Sequence, residues 1–484
     1  MNGNFRNWKI ISLFGMAGLF QLLLACSVGP DYVRPPALVP EAYRETQGWK
    51  MAEPKDHLLR GKWWELFEDH GLDDLVMQID ISNQNVASAE AQFRQARALV
   101  QAARAGYFPT VTAGASFTRS LASSATGTAT AASPSPVSLY SLPVDASWEL
   151  DLWGRIRRSV EASRAGAQAT AADLESVRLS ARAELVQDYF QVRALDGQKE
   201  LLDRTVAALE KSRELTQNRY LSGVASRGDV LQADTLLSST RAQAIDLGVQ
   251  RSQFEHAIAL LIGKPPALFT FPFSPLAARP PTIPVGLPSE LLERRPDIAG
   301  AERRMAAANA QIGVAVAGYY PTVTLGASAG FQSTDLSRWL NWPSRFWSFG
   351  PALSELVFTG GLLQSRTEQA RAAYDAAVAD YRQIVLTAFQ GVEDNLSALR
   401  ILEQEGAAQE EAVRAAEASL AVAVNQYKAG IVGYLNVISA QTAALTSRRA
   451  ALDIMSRRMT AGILLIKALG GGWNTASLAD VDKP

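Results

Sequence analysis

The chain has 484 residues, 48% of them apolar, with 47 Lys and Arg against 48 Asp and Glu. That is ample material for a buried core, and the near-zero charge with both signs interspersed excludes the electrostatic footprint of a nucleic-acid binder. The single cysteine and three scattered histidines, His57, His70 and His256, allow no internal disulfide and leave little for metal binding.

Residues 1–25 read as a signal peptide, because Arg6 and Lys9 precede an apolar run, Ile10 to Leu24, too short and wrongly flanked to span a membrane. The run ends in Leu23-Leu24-Ala25-Cys26, a tetrad that looks like a bacterial lipobox. Cys26 is then the first residue of the mature chain, carrying an N-palmitoyl and an S-diacylglycerol group. Ser27 stands where an Asp would favour retention in the inner membrane, so the expected address is the outer membrane of a Gram-negative bacterium. Residues 26–60, studded with Pro30, Pro35, Pro36, Pro40 and Pro54, read as an extended tether.

From Leu72 to Arg104 the chain is rich in Ala, Gln and Arg without Pro or Gly, which predicts one helix of about 30 residues. Pro109 ends it. The period then changes from 3.6 to 2: Val111, Ala113, Ala115 and Phe117 alternate with small or polar residues, as do Leu142, Val144, Ala146, Trp148 and Leu150. Runs of about nine to eleven residues match a tilted bilayer-crossing strand, apolar toward lipid and polar toward a lumen. An Ala, Ser, Thr and Pro loop, roughly 121–138, separates them and reads as a solvated outside loop.

The same text returns. Gly106-Tyr107-Phe108-Pro109-Thr110-Val111-Thr112 is matched by Gly318-Tyr319-Tyr320-Pro321-Thr322-Val323-Thr324, followed by alternation over Val323, Leu325, Ala327, Ala329 and Phe331, a Trp-rich loop from Ser333 to Arg345 and a less regular strand, about 346–358. Aromatics gather near the strand ends (Tyr107, Phe108, Tyr140, Trp153, Tyr319, Tyr320, Trp347), as an interfacial girdle requires. The expected organisation is two tandem repeats, 61–264 and 296–469, with hairpins at about 110–152 and 321–358, a Pro-rich linker at 265–295 and a tail at 470–484.

No Pro occurs between Pro143 and Pro265, nor between Pro351 and Pro484. Helices from Arg155 to about Arg219 and from Leu362 to about Tyr427 fit there, each on the order of 100 Å at 1.5 Å per residue. Small residues such as Ala162, Ala165, Ala372 and Ala376 permit close lateral packing. Each helix ends in a Gly turn, at 220–229 and 427–436, and reverses into a shorter helix, to about Leu261 and about Leu469. These turns lie at the far end of the rod from the strands.

Four strands cannot close a barrel, since about eight is the minimum and hydrocarbon forbids an open edge. The chain must therefore oligomerise through its sheet, and counting alone allows two, three or four copies. The helices, too thin to enclose a core alone, must build a wall.

Four segments carry a resemblance to the TolC family of outer-membrane efflux lipoproteins, the outer-membrane factors of tripartite pumps. They are Cys26-Ser27-Val28-Gly29-Pro30-Asp31-Tyr32, Trp148-Glu149-Leu150-Asp151-Leu152-Trp153-Gly154, Arg219-Tyr220 with Gly223-Val224-Ala225-Ser226-Arg227, and Leu292-Glu293-Arg294-Arg295-Pro296-Asp297-Ile298. The resemblance covers the mature chain. It implies a mainly α protein with a membrane β-barrel: a homotrimer with a 12-stranded barrel, continued by a 12-helix periplasmic tube with an equatorial belt. It implies a periplasmic adaptor docking at Gly223, Val224, Ala225, Gly430, Ile431 and Val432, and an inner-membrane pump of the resistance-nodulation-division type. Gate candidates are Tyr220, Asp229, Tyr427 and Val432. Many relatives carry Asp where this chain has Val432, which puts an acid-lined gate in doubt, and Asp229 also fits a helix N-terminal charge.

The expected function is a passive exit duct for drugs and other small toxic compounds, with no cofactor and no catalytic or metal-ligating residues. The Gly-Gly patches at Gly360 and Gly470 lack the Lys and hydroxyl of a phosphate loop. Protein secretion and metal efflux share the fold. A trimeric surface rod is opposed by hairpins inside two repeats, and a periplasmic enzyme by the lack of any nucleophile, base and orienter grouping.

Overall fold

The computed structural model describes residues 27–37, 39–46, 62–121, 123, 135–276, 294–473 and 475. The signal peptide, Cys26, tether residues 47–60, most of the first loop, linker residues 277–293 and tail residues 476–484 lie outside them. The elements are α1 (His70–Ser82), α2 (Gln84–Ala105), β1 (Thr110–Ala113), β2 (Ser116–Ser120), β3 (Val137–Leu150), α3 (Arg155–Leu221), α4 (Arg227–Leu261), α5 (Pro296–Ala317), β4 (Thr322–Ser333), β5 (Arg345–Ser354), α6 (Leu362–Lys428) and α7 (Tyr434–Ala468). The two long helices, α3 and α6, have 67 residues each and the two return helices 35 each. Among the described residues no helix is long and apolar enough to cross a membrane.

Three local expectations need correction. The helix expected over Leu72 to Arg104 is broken at Asn83, whose Oδ1 accepts from the backbone N–H groups of Asn85 and Val86 while its amide donates to Leu261 O at 2.7 Å. A distant backbone thus decides a break that helix propensity opposes. The first strand is two pieces, parted at Gly114, whose N–H reaches Pro143 O at 3.0 Å. The last strand ends at Ser354, short of Phe358.

The chain divides into two compact units. The first holds the described residues of 27–35, 94–169 and 301–381 and contains the sheet. Its strands run antiparallel in the order β1–β3–β4–β5, with β2 beside β1 along β3. The Trp148-to-Gly154 segment joins sheet to helix: Trp148 Nε1 donates to Tyr107 O, Trp153 Nε1 to Pro321 O, and Glu149 takes a bidentate pair from Arg155. Asp151 caps α3 by accepting from the N–H groups of Ile156 and Arg157, both at 2.8 Å, a charge placed well at a helix start.

A strap formed by residues 27–35 lies in the same unit. Val28 N donates to Trp153 O, Asn309 donates to Pro30 O, and Arg34 donates to Tyr381 OH. Arg158, with only 6% of its side chain exposed, pairs with Asp31 and Glu161, each at 2.8 Å. Gly29 is required here: its φ is +95°, and a Cβ would stand 2.5 Å from Gly313 Cα. Small residues of α3, including Ala162, Ala165, Ala167 and Ala169, are buried, whereas the corresponding Ala372, Ala373 and Ala376 of α6 are exposed in the single chain.

The second unit packs Trp63, Phe67, Leu72, Val76 and Ile79 against Leu185, Tyr189 and Phe190 of α3, Ile258 of α4, Val392 of α6 and Ile463 of α7. Residues 269–276 are pinned to this core by charge. Fully buried Asp196 accepts from Arg251 Nε at 2.7 Å and from Ser274 N, and Arg251 also donates to Phe271 O. Arg295 forks onto Asp297 and donates to Ala468 O, the structural role of the Arg-Pro-Asp segment.

Candidate functional site

Two surfaces match the residues the sequence singles out. The first is the sheet. Register puts Val144, Ala146, Trp148 and Leu150 of β3 opposite Ala329, Ala327, Leu325 and Val323 of β4, and these in turn opposite Trp347, Phe349, Pro351 and Leu353 of β5. Successive side chains alternate, so one face is apolar across every strand. The other carries Thr112, Ser141, Asp145, Ser147, Glu149, Thr324 and Ser328. Among the described residues nothing covers much of the apolar face: Val144 is 46%, Trp347 78% and Leu353 70% exposed. Among the described residues no strand pairs with the outer edge of β5 or of β1 and β2.

The second surface is the pair of Gly turns, both in the second unit. Gly223 and Gly430 each have φ +77°, a conformation only glycine adopts freely. In each turn the next residue closes back five positions, Val224 N to Arg219 O at 2.8 Å and Ile431 N to Gln426 O at 2.9 Å, the double-turn helix ending that glycine permits. Gly223, Val224, Gly430 and Ile431 are exposed, Val224 at 65% and Ile431 at 72%, while Ala225 and Val432 are half-buried.

The gate candidates divide. Tyr220 is exposed. Tyr427 is buried, the centre of a cluster with Ala233, Tyr434 and Val437 against which Val432 packs. Asp229 is held in a capping box: its N–H donates to Ser226 Oγ at 3.1 Å, and its carboxylate accepts from Ser226 N at 2.9 Å. The Ser-x-x-Asp spacing at 226–229 is the sequence signal for that role.

The residue that ties the two turns together is one the sequence marked only as part of a motif. Arg219, at the end of α3, donates from Nη1 to Tyr427 O at 3.0 Å and Lys428 O at 3.2 Å, with its guanidinium 4.6 Å from the Tyr427 ring centroid. The Tyr427 and Tyr434 rings pack at 5.3 Å, Tyr427 OH donates to Thr216 Oγ1, and Tyr434 OH bonds Ser212 Oγ. Burial raises the Tyr434 pKa, so the phenol stays neutral and keeps its proton. Arg213 and Asp234 add an ion pair at 2.9 Å. Among the described residues no cluster of His, Cys, Asp and Glu could hold a metal ion.

The family profile described as "Outer membrane efflux protein" matches residues 75–264 and 287–471. The chain belongs to this family. It is 32% identical over 466 residues to the toluene efflux pump outer membrane protein TtgI of Pseudomonas putida, covering 95% of this chain and 98% of that one. The cation efflux system protein CusC of Escherichia coli is 28% identical over 93% of this chain and 96% of its own. Among solved structures, the outer-membrane channel OprN superposes with a TM-score of 0.86 at 32% identity, over 93% of this chain and all of that one. Family membership makes the chain an outer-membrane efflux channel protein and not an enzyme, and it bears out the resemblance drawn from the four motifs.

Proposed function

We propose that the chain is one of three copies of a passive exit duct, a 12-stranded barrel in the outer membrane continued by a 12-helix tube, built from two tandem repeats per copy and anchored by lipid on Cys26. The observation that carries this reading is the sheet: an apolar face over every strand, a polar face behind it, and two unpaired edges. Hydrocarbon tolerates none of those open backbone groups, so β5 of one copy must pair with β1 and β2 of the next. The uncovered alanines of α6 favour the same assembly, since a neighbouring copy supplies what the single chain lacks.

The entrance is at the turns. Exposed Val224 and Ile431, with Gly223, Ala225, Gly430 and Val432, form the docking surface for a periplasmic adaptor, which links the duct to an inner-membrane pump of the resistance-nodulation-division type. Opening parts the turns, so the Arg219 bridge favours the closed state; the adaptor biases the equilibrium through contacts made only when open. The cargo is small and organic. The TtgI relative is named for toluene and CusC for cations, while this sequence has 7 Met and 3 His in no cluster.

Deleting the gene together with any neighbouring adaptor and pump genes tests the reading. Sensitivity to dyes, detergents, solvents and antibiotics is expected to rise, with metal tolerance unchanged. A change confined to metals transfers the reading to cation efflux. No change with any compound removes it.

A further inference from the structure

One end of the apolar sheet face carries charge where the rest of that face carries none. Arg119 of β2 lies two residues beyond Phe117, on the face shared with Tyr140 and Leu142 of β3, and Arg345 at the start of β5 stands opposite Phe331 on the same face. An arginine at that parity is tolerated at the headgroup level and strongly disfavoured deeper in hydrocarbon. Arg338 sits in the connection between β4 and β5, immediately before Trp339, and its side chain is 78% exposed.

Aromatic rings border these charges. Phe117 and Tyr140 pack at 4.8 Å between centroids, and Tyr140 and Trp339 at 5.9 Å, which makes one band from β2 to the β4–β5 connection. The Arg345 guanidinium lies 4.0 Å from the Trp342 ring centroid. Among the described residues Arg119 and Arg345 meet no carboxylate, and Arg338 meets Asp335 only at 3.9 Å, while Asp335 accepts from Ser337 N and Oγ.

We propose that this rim is a docking surface for the phosphorylated headgroup of the outer-leaflet glycolipid, the lipid A part of lipopolysaccharide. The inference rests on the barrel reading above, which decides that this face meets lipid. Guanidinium groups take phosphate in a two-pronged fit, and Trp and Tyr rings settle where acyl chains meet headgroups. Unpaired arginines beside exposed aromatics fit that boundary and a doubly phosphorylated lipid better than a zwitterionic one. In the closed ring the free edge of β5 meets the free edge of β1 and β2 of the next copy. The strands that carry Arg345 and Arg119 then become neighbours at each seam.

The test titrates the full-length trimer in detergent with lipid A bearing both phosphates and with the same lipid after dephosphorylation, counting retained lipid by native mass spectrometry. The phosphorylated form is expected to bind at least tenfold more tightly. The variant Arg119→Gln/Arg338→Gln/Arg345→Gln is expected to lose on the order of 100-fold, at about fivefold per arginine, with conductance in phospholipid bilayers unchanged. Arg345→Gln alone loses about fivefold and serves if the triple variant misfolds. Equal affinity for the two lipids, or retention unaltered in the variants, overturns the proposal while a conducting trimer leaves the channel reading standing. A chain that neither assembles nor inserts into bilayers overturns both.

Discussion

Replacing Arg219 with Ala removes the bridge between the two turns and leaves the turns themselves intact, because Gly223 and Gly430 close through backbone bonds alone. The loss can be worked from its parts. A guanidinium 4.6 Å from the Tyr427 centroid in a partly solvated site contributes about 1 kcal/mol. One charged donor shared between Tyr427 O and Lys428 O, at 3.0 and 3.2 Å, contributes about 1 to 2 kcal/mol at half exposure. The sum, about 2 to 3 kcal/mol per copy, changes a local open-to-closed ratio by roughly 30- to 150-fold. Single-channel recording in planar bilayers without adaptor should show resting open probability rising at least tenfold in Arg219→Ala. Arg219→Lys keeps the charge, loses the planar fork and falls between. Tyr427→Phe, which loses only a 3.4 Å contact to Thr216, should stay near wild type. An assembled Arg219→Ala channel whose resting conductance stays within about twofold of wild type refutes the bridge as a closing contact.

Other substitutions report on the scaffold. Asp196→Asn removes the fully buried counter-charge of Arg251 but leaves it paired with Glu255 at 2.7 Å, and should lower stability by about 2 kcal/mol in urea unfolding, whereas a surface pair such as Lys199 with Asp203 should be worth under about 1 kcal/mol. Gly29→Ala combines a left-handed backbone with a Cβ driven onto Gly313, so the strap should lift; limited proteolysis near residue 30 is expected to accelerate severalfold, and an unchanged digestion rate contradicts the close approach. Asp188 is pushed up to about 7, first by burial and then by Glu184. A carboxyl whose folded pKa lies above its unfolded value holds its proton more tightly when folded, so its contribution is full below about pH 4 and declines as pH rises through 7. Asp188→Asn should therefore raise Tm at pH 8 and leave it unchanged at pH 4; equal shifts at both values contradict the assignment.

Element type and turn position were decided locally, and the chain shows them without help. Long stretches free of Pro, with Ala at close spacing, allow little but helix, so α3 and α6 end within two residues of where periodicity ends them. Gly223 and Gly430 stop helices because only glycine enters the left-handed region at no steric cost, and alternation alone places the apolar face of β3 and β4. Asn83 breaks a helix because its amide meets Leu261, far along the chain, and Tyr427 is buried because Arg219 and Tyr434 close over it. Asp196 looks like any helical acid until Arg251 and residues 269–276 fold around it. A propensity belongs to one residue and its neighbours, whereas a buried polar group must find its partner wherever the fold brings one, and that pairing is settled only by the tertiary structure.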